Sequence, residues 1–228
     1  MNQNPFGGQP VIHFANDKDR RAFLKYAALV GVGGSLAAVL PITDVLAAAS
    51  PSPSPSSPAS PTAGGTAQFG AGDIGILNYA LTLEYLEAEF YKQGLAANIL
   101  GDDAKYVTPV AAHEAAHVTA ITATVTKLGG TPATMPKFKF PDGTFADKAT
   151  FLKTAVTFEE TGVKAYHGQV TLIKDAAILG AAASIAGVES RHAAVLNYLA
   201  QTPPVPNPVE QRATADEILA SVKPFLGA

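Results

Sequence analysis

The stretch "VAAHEAAHVTAI", Val110 to Ile121, holds Glu114-Ala115-Ala116-His117, and "VESRHAAVL", Val188 to Leu196, holds Glu189-Ser190-Arg191-His192. Residues three apart on a helix share one face, about one turn from each other. Each Glu/His pair lies on an otherwise apolar helical stripe: Val110, Ile121 and Leu128 in the first case, Ile185, Leu196 and Leu199 in the second. An ionised carboxylate on a core-facing stripe costs several kcal/mol unless it is paired or metal-bound. A costly arrangement used twice calls for one shared explanation.

The two stretches belong to a longer internal repeat. "ALTLEYLEAEFY", starting at Ala80, matches "AVTFEETGVKAY", starting at Ala155, and "HEAAHVTAI", starting at His113, matches "VESRHAAVL", starting at Val188, both at an offset of 75 residues. Glu84 therefore pairs with Glu159, Tyr91 with Tyr166, Glu114 with Glu189 and His117 with His192. Their stripes are again apolar at other positions: Leu77, Leu81, Ala88 and Leu95 around Glu84, and Leu152, Val156, Val163 and Val170 around Glu159. The register also sorts bystanders. His113 falls on Val188, Glu87 on Gly162, Glu160 on Tyr85 and His167 on Lys92, so these are weaker candidates for primary ligands. Glu87, one turn from Glu84, remains an alternative ligand.

Four Glu and two neutral His offer six ligands and four negative charges, which two divalent cations balance. One Glu from each of two helices, with Glu-x-x-His from each of the other two, is the ligand pattern of di-iron and di-manganese carboxylate bundles. Carboxylate and imidazole ligation suits iron as first choice and manganese as second. A competing reading takes His113-Glu114-Ala115-Ala116-His117 as H-E-x-x-H, in which two His bind zinc and the Glu is a general base for hydrolysis. That reading leaves Glu84, Glu159, Glu189 and His192 without a role. On the repeat reading, His113 completes the pattern by accident or stands behind the ligands.

Periodicity and breakers place the helices. Asp73 can cap a first helix running to about Leu100, with Gly101 as its stop. Pro109 fits the first turn of a second, which ends near Leu128. Gly129 to Ala146 is a long connection whose Lys137–Phe145 part suits a small hairpin around Pro141-Asp142-Gly143. A third helix is expected from Asp147 to about Lys174, and a fourth from about Asp175 to Gln201. "TPPVPNP" then ends the pattern, and a short terminal helix starts near Thr214. The expected fold is all-α: a four-helix bundle with a long crossover between helices 2 and 3, built from two helical-hairpin repeats over 69–201, followed by a 202–228 extension.

Composition narrows the rest. With 228 residues, 47% of them hydrophobic, and a formal net charge of −3, the chain suits one domain plus extra segments and gives no footprint for nucleic acid. It has no cysteine, which excludes disulfides, thiolate zinc or iron centres and a lipoprotein cysteine. Arg20-Arg21, followed by Phe23, Leu24, Lys25 and a Gly- and Ala-rich apolar run, reads as a twin-arginine export signal over 1–49, with Asp19 where Ser or Thr is usual. A retained membrane anchor is the other reading of that run. Residues 50–68 repeat Ser-Pro and read as an extended linker.

"LNYALTLEYLEAEFY", with Asn78, Glu84 and Tyr91, and "HEAAHVTAITATVTKLGGTP", with Glu114, His117, Leu128-Gly129-Gly130 and Pro132, resemble the first two helices of bacterioferritins. The chain thus resembles the ferritin-like superfamily over about Phe69 to Gln201, and looks more like the exported bacterial ferritin-like proteins, some of which are grouped with plant desiccation-related proteins. The resemblance implies Glu84 and Glu159 as terminal ligands, Glu114 and Glu189 as bridges, and His117 and His192 as caps on one metal each. It implies Tyr91 and Tyr166 as hydrogen-bond partners that orient a carboxylate, simple core packing being the alternative. No haem-binding Met stands out, since Met135 falls in a loop. The expected activity is di-metal redox chemistry on O₂, hydrogen peroxide or Fe(II) in stress protection; the alternative is a non-catalytic desiccation or stress protein. The twin-arginine translocase and signal peptidase are the expected partners, export to the periplasm or envelope is expected, and a homo-oligomer is allowed but not specified by the sequence.

Overall fold

The structure, a computed structural model, describes residues 63–227. The expected export signal, with Arg20 and Arg21, and most of the Ser-Pro stretch lie outside the described residues. Within them are five α-helices: α1 (Gly72–Ala96), α2 (Ala104–Lys127), α3 (Lys148–Gln169), α4 (Ala176–Leu199) and α5 (Ala215–Val222). α1 packs along α2 and α3 along α4, and the two hairpins meet through α1 with α3 and α2 with α4. This is the expected all-α bundle. Among the described residues no helix is long and apolar enough to cross a membrane.

The helix ends show where local chemistry departs from expectation. Asp73 is not the N-cap of α1; Ala71 is, and its side chain makes no capping bond. The Asp73 carboxylate instead accepts from the backbone N–H of Lys174, at 3.0 Å, and of Asp175, at 2.8 Å, and so ties the α3–α4 turn to the start of α1. Pro109 lies inside α2 rather than in its first turn. A 3₁₀ turn at Gly101–Asp103 leads directly into Ala104 and starts the helix earlier. α2 ends at Lys127, leaving Leu128 exposed beyond the stripe it was expected to extend. α3 stops at Gln169, five residues short of Lys174. Asp147 caps α3 by accepting from Thr150 N–H, and Asp175 caps α4 by accepting from Ala177 and Ile178 N–H.

Residues 137–145 do not form a hairpin. Phe138 makes an isolated antiparallel bridge with Leu226, in which Lys139 N–H donates to Phe225 O at 2.9 Å and Gly227 N–H to Lys137 O at 2.7 Å. The crossover pairs with the C-terminal tail because its aromatic residues have a common destination. Phe140 and Phe145 lie 5.7 and 5.6 Å from Phe90, centroid to centroid, and Phe225 lies 4.7 Å from Phe158. Ile218 and Val222 of α5 are buried in the same core. Thr214 starts α5 with a capping box to Glu217.

The folded part also begins earlier than Phe69. Residues 63–69 wind into a 3₁₀ helix instead of continuing an extended linker. A Cβ at Gly65 would come within 2.7 Å of the Ala215 Cβ, so the bare glycine lets this turn lie against α5. Asn78, buried in α1, joins this turn to the crossover. Its Nδ2 donates to Phe69 O and Thr131 O, and its Oδ1 accepts from Ala133 N–H.

Candidate metal centre

Midway along the bundle each long helix turns polar side chains inward. α1 supplies Glu84, α2 Glu114 and His117, α3 Glu159, and α4 Glu189 and His192. All six are buried, and the four carboxylates are 0% exposed. The ligand atoms fall into two groups, each within 4.8 Å: Glu84, Glu114, His117 and Glu189, and Glu114, Glu159, Glu189 and His192. Glu114 and Glu189 belong to both. One helix from each hairpin therefore supplies a shared carboxylate, and each group adds one private Glu and one private His.

The contacts within each group converge on a centre and do not pair off. His117 Nδ1 lies 3.2 Å from Glu84 Oε2, 3.3 Å from Glu114 Oε2 and 3.2 Å from Glu189 Oε1. A single ring N–H cannot serve three acceptors. His192 Nδ1 lies 2.8 Å from Glu114 Oε1 and 3.3 Å from Glu159 Oε2. The distances are short, but the angles do not make hydrogen bonds. Glu114 Oε1, Glu159 Oε2, both oxygens of Glu189 and His192 Nδ1 are buried without a hydrogen-bonded partner. Two ligands each about 2.0–2.2 Å from a cation, at tetrahedral to octahedral angles, stand about 3.0–3.5 Å apart. Four of the five spacings fall in that range and the fifth, 2.8 Å, just below it, so the residues present fit a pair of cations.

Electrostatics point the same way. Burial pushes Glu84 up to about 8. Burial and neighbouring carboxylates also raise Glu159 and Glu189. Burial works against ionising Glu114 too, but the adjacent His117 and His192 outweigh it and hold Glu114 at about 2. Burial disfavours the charged histidines, yet the carboxylates around them raise His117 to about 12 and His192 to about 10. Without metal, then, the cluster holds protons where cations would sit.

Two tyrosines cross between the hairpins. Tyr91 of α1 donates to Glu159 Oε1, and Tyr166 of α3 donates to Glu84 Oε1. Each hydroxyl thus holds the private carboxylate of the other half, which favours the orienting reading over simple packing. Burial, together with the adjacent carboxylate, keeps both phenols well above their ordinary pKa.

Two residues set aside by the repeat prove to be close by. Glu87 is buried, and its carboxyl faces Gly162: a Cβ there would stand 3.2 Å from Glu87 Oε1 and 3.1 Å from Glu189 Oε2. The repeat image of Glu87 is thus the glycine that leaves it room. Burial, then the four cluster carboxylates, push Glu87 well up, toward the neutral acid. His113 Nδ1 lies 2.9 Å from His192 Nε2, with the two rings nearly parallel at 15°. His113 stands behind His192 and does not share a site with His117, and Glu114, the supposed base, is wholly buried. The H-E-x-x-H hydrolase geometry is not met. Of the two readings the sequence left open for His113, this contact agrees with the one behind the ligands; which histidine it supports was not legible, because Val188 gives it no repeat image.

The ferritin-like domain family model matches residues 72–202, more than half of the chain. The chain belongs to the ferritin-like domain family. The match spans this ferritin-like bundle from α1 through α4 and includes all six converging residues. No curated protein matches the chain. An apolar cavity of about 70 Å³ is lined from all four long helices, including Leu83, Ile121, Ala182 and Tyr166, the last of which bonds to Glu84; none of the six converging residues lines it.

Proposed function

We propose that this ferritin-like protein holds two divalent metal ions, iron as first choice and manganese as second, and uses them to oxidise Fe(II) or to reduce O₂ or peroxide in stress protection. The observation that carries the reading is the pair of four-residue groups sharing Glu114 and Glu189. Shared carboxylates are what two adjacent cations need as bridges, and four Glu charges balance two divalent ions. Glu84 with His117, and Glu159 with His192, complete one position each. When bound, such a metal pair supplies a two-electron redox couple. The protein's own part is to fix the ligands: Tyr166 and Tyr91 hold Glu84 and Glu159 in orientation, and the dry surroundings keep bulk water away. The apolar cavity beside Tyr166 suits approach by a small uncharged molecule.

The Arg20-Arg21 motif supports export through the twin-arginine translocase, with signal peptidase acting near Ala49. That route carries folded proteins, which suits metal loading before export. Relation to exported desiccation-type proteins belongs to the same reading.

Stopped-flow mixing of the metal-free chain with Fe(II) and O₂ tests the function. The reading expects rapid oxidation that is lost in Glu114→Ala. Metal bound without oxidation would instead make the bundle a metal-stabilised structural protein.

A further inference from the structure

The two metal positions have matching inner residues but different surroundings. Both histidines present Nδ1 to the carboxylates. A neutral imidazole with its Nδ1 lone pair on a cation must carry its proton on Nε2. That proton then needs an acceptor, and the acceptor fixes both tautomer and ring orientation.

His192 has such an acceptor within the protein. His113 Nδ1 lies 2.9 Å from His192 Nε2. His113 is itself on the exposed face of α2, so its own proton can sit on Nε2 toward solvent. His117 lacks the equivalent. The repeat puts Val188 where His113 would be, and among the described residues no hydrogen bond reaches His117 Nε2.

We propose that His113 is a positioning residue: by accepting the Nε2 proton of His192 it strengthens the position formed by Glu114, Glu159, Glu189 and His192, making the two metal sites unequal. The inference rests on the two-metal reading above. It also gives the first histidine of the H-E-x-x-H string a specific role behind His192, where the sequence left accident and support of the ligands both open.

Calorimetric titration of the full metal-free chain with Zn(II), a redox-silent probe, tests it. Wild type takes up two ions. His113→Ala weakens one of the two by about 10–100-fold and leaves the other unchanged. His113→Asn restores most of the loss, because its side-chain carbonyl can accept the same proton. Nitrogen-15 NMR of the Zn(II)-loaded chain adds a readout that a merely structural role would not move. The His192 proton sits on Nε2 and exchanges slowly in wild type, and exchanges fast in His113→Ala. Two ions bound with unchanged affinity in His113→Ala would overturn the inference while leaving the two-metal reading intact. Equal weakening in His113→Ala and His113→Asn would also overturn it, since acceptance of the proton would not be the cause. No Zn(II) uptake by wild type would remove the two-metal reading and this inference with it.

Discussion

The α1–α2 and α3–α4 hairpins present the same chemistry to the centre and different chemistry just behind it. Glu84, Tyr91, Glu114 and His117 have images in Glu159, Tyr166, Glu189 and His192, and each hairpin's tyrosine holds the other's private carboxylate. One layer out the equivalence fails: Glu87 faces Gly162, and His113 is matched by Val188. Residues that touch both halves keep the two-fold pattern because the centre needs a symmetric set of charges. Glu87 and His113 also reach across to the other hairpin, but they stand outside the six converging residues, and there the two halves differ.

The comparison can be broken most severely at the shared carboxylates. Glu114→Ala or Glu189→Ala removes a ligand from both groups and should abolish tight binding of both ions, read as metal per chain after dialysis. Glu84→Ala or Glu159→Ala removes a private ligand and should leave one ion, with the half that lost it following the group it belonged to. Forcing symmetry on the outer layer is the next largest change. Gly162→Glu would place a second carboxyl where a bare Cβ already meets Glu189 and Glu87 at 3.1 and 3.2 Å. It should cost about 3 kcal/mol or more of stability by denaturant unfolding.

The aromatic clamps should matter less. Tyr91→Phe or Tyr166→Phe frees one carboxylate from its hydroxyl and should weaken metal binding by about tenfold, the low end for outer partners of ligands. The smallest effect is on pH dependence. In the metal-free chain Glu84 is raised to about 8 and His117 and His192 to about 12 and 10. Groups raised on folding stabilise below their unfolded pKa and lose that contribution as pH rises toward the folded one. Glu114, lowered to about 2, gives its full contribution already above its unfolded value. The metal-free melting temperature should therefore fall as pH rises from about 5 to 8. Metal affinity should rise over the same range, because the ions displace these protons. Thermal scans at several pH values, with and without metal, check both slopes.

The fold and the inner site were legible because both are written twice. The 75-residue register aligned six costly polar residues on apolar stripes, and the structure brings those six together. What could not be read lay in contacts with no local signature. Asp73 looks like a cap from its neighbours in sequence, but it is drawn to N–H groups a hundred residues away. Lys137–Phe145 has the turn residues of a hairpin, yet Phe140 and Phe145 are anchored on Phe90, and the backbone there bonds to the tail. The 3₁₀ helix at 63–69 depends on Gly65 meeting α5, a long-range fit invisible in a polar, Gly-rich stretch. A place behind the ligands was one of two readings for His113, but its partner His192 could not be named, because the repeat that identified its neighbours offered no image of it.

The proposal that two cations share Glu114 and Glu189 is tested most directly by an anaerobic Fe(II) titration of the metal-free chain. It predicts uptake that saturates at two ions per chain in wild type and disappears in Glu189→Ala. Saturation at one ion, or two ions still held tightly by Glu189→Ala, would contradict it.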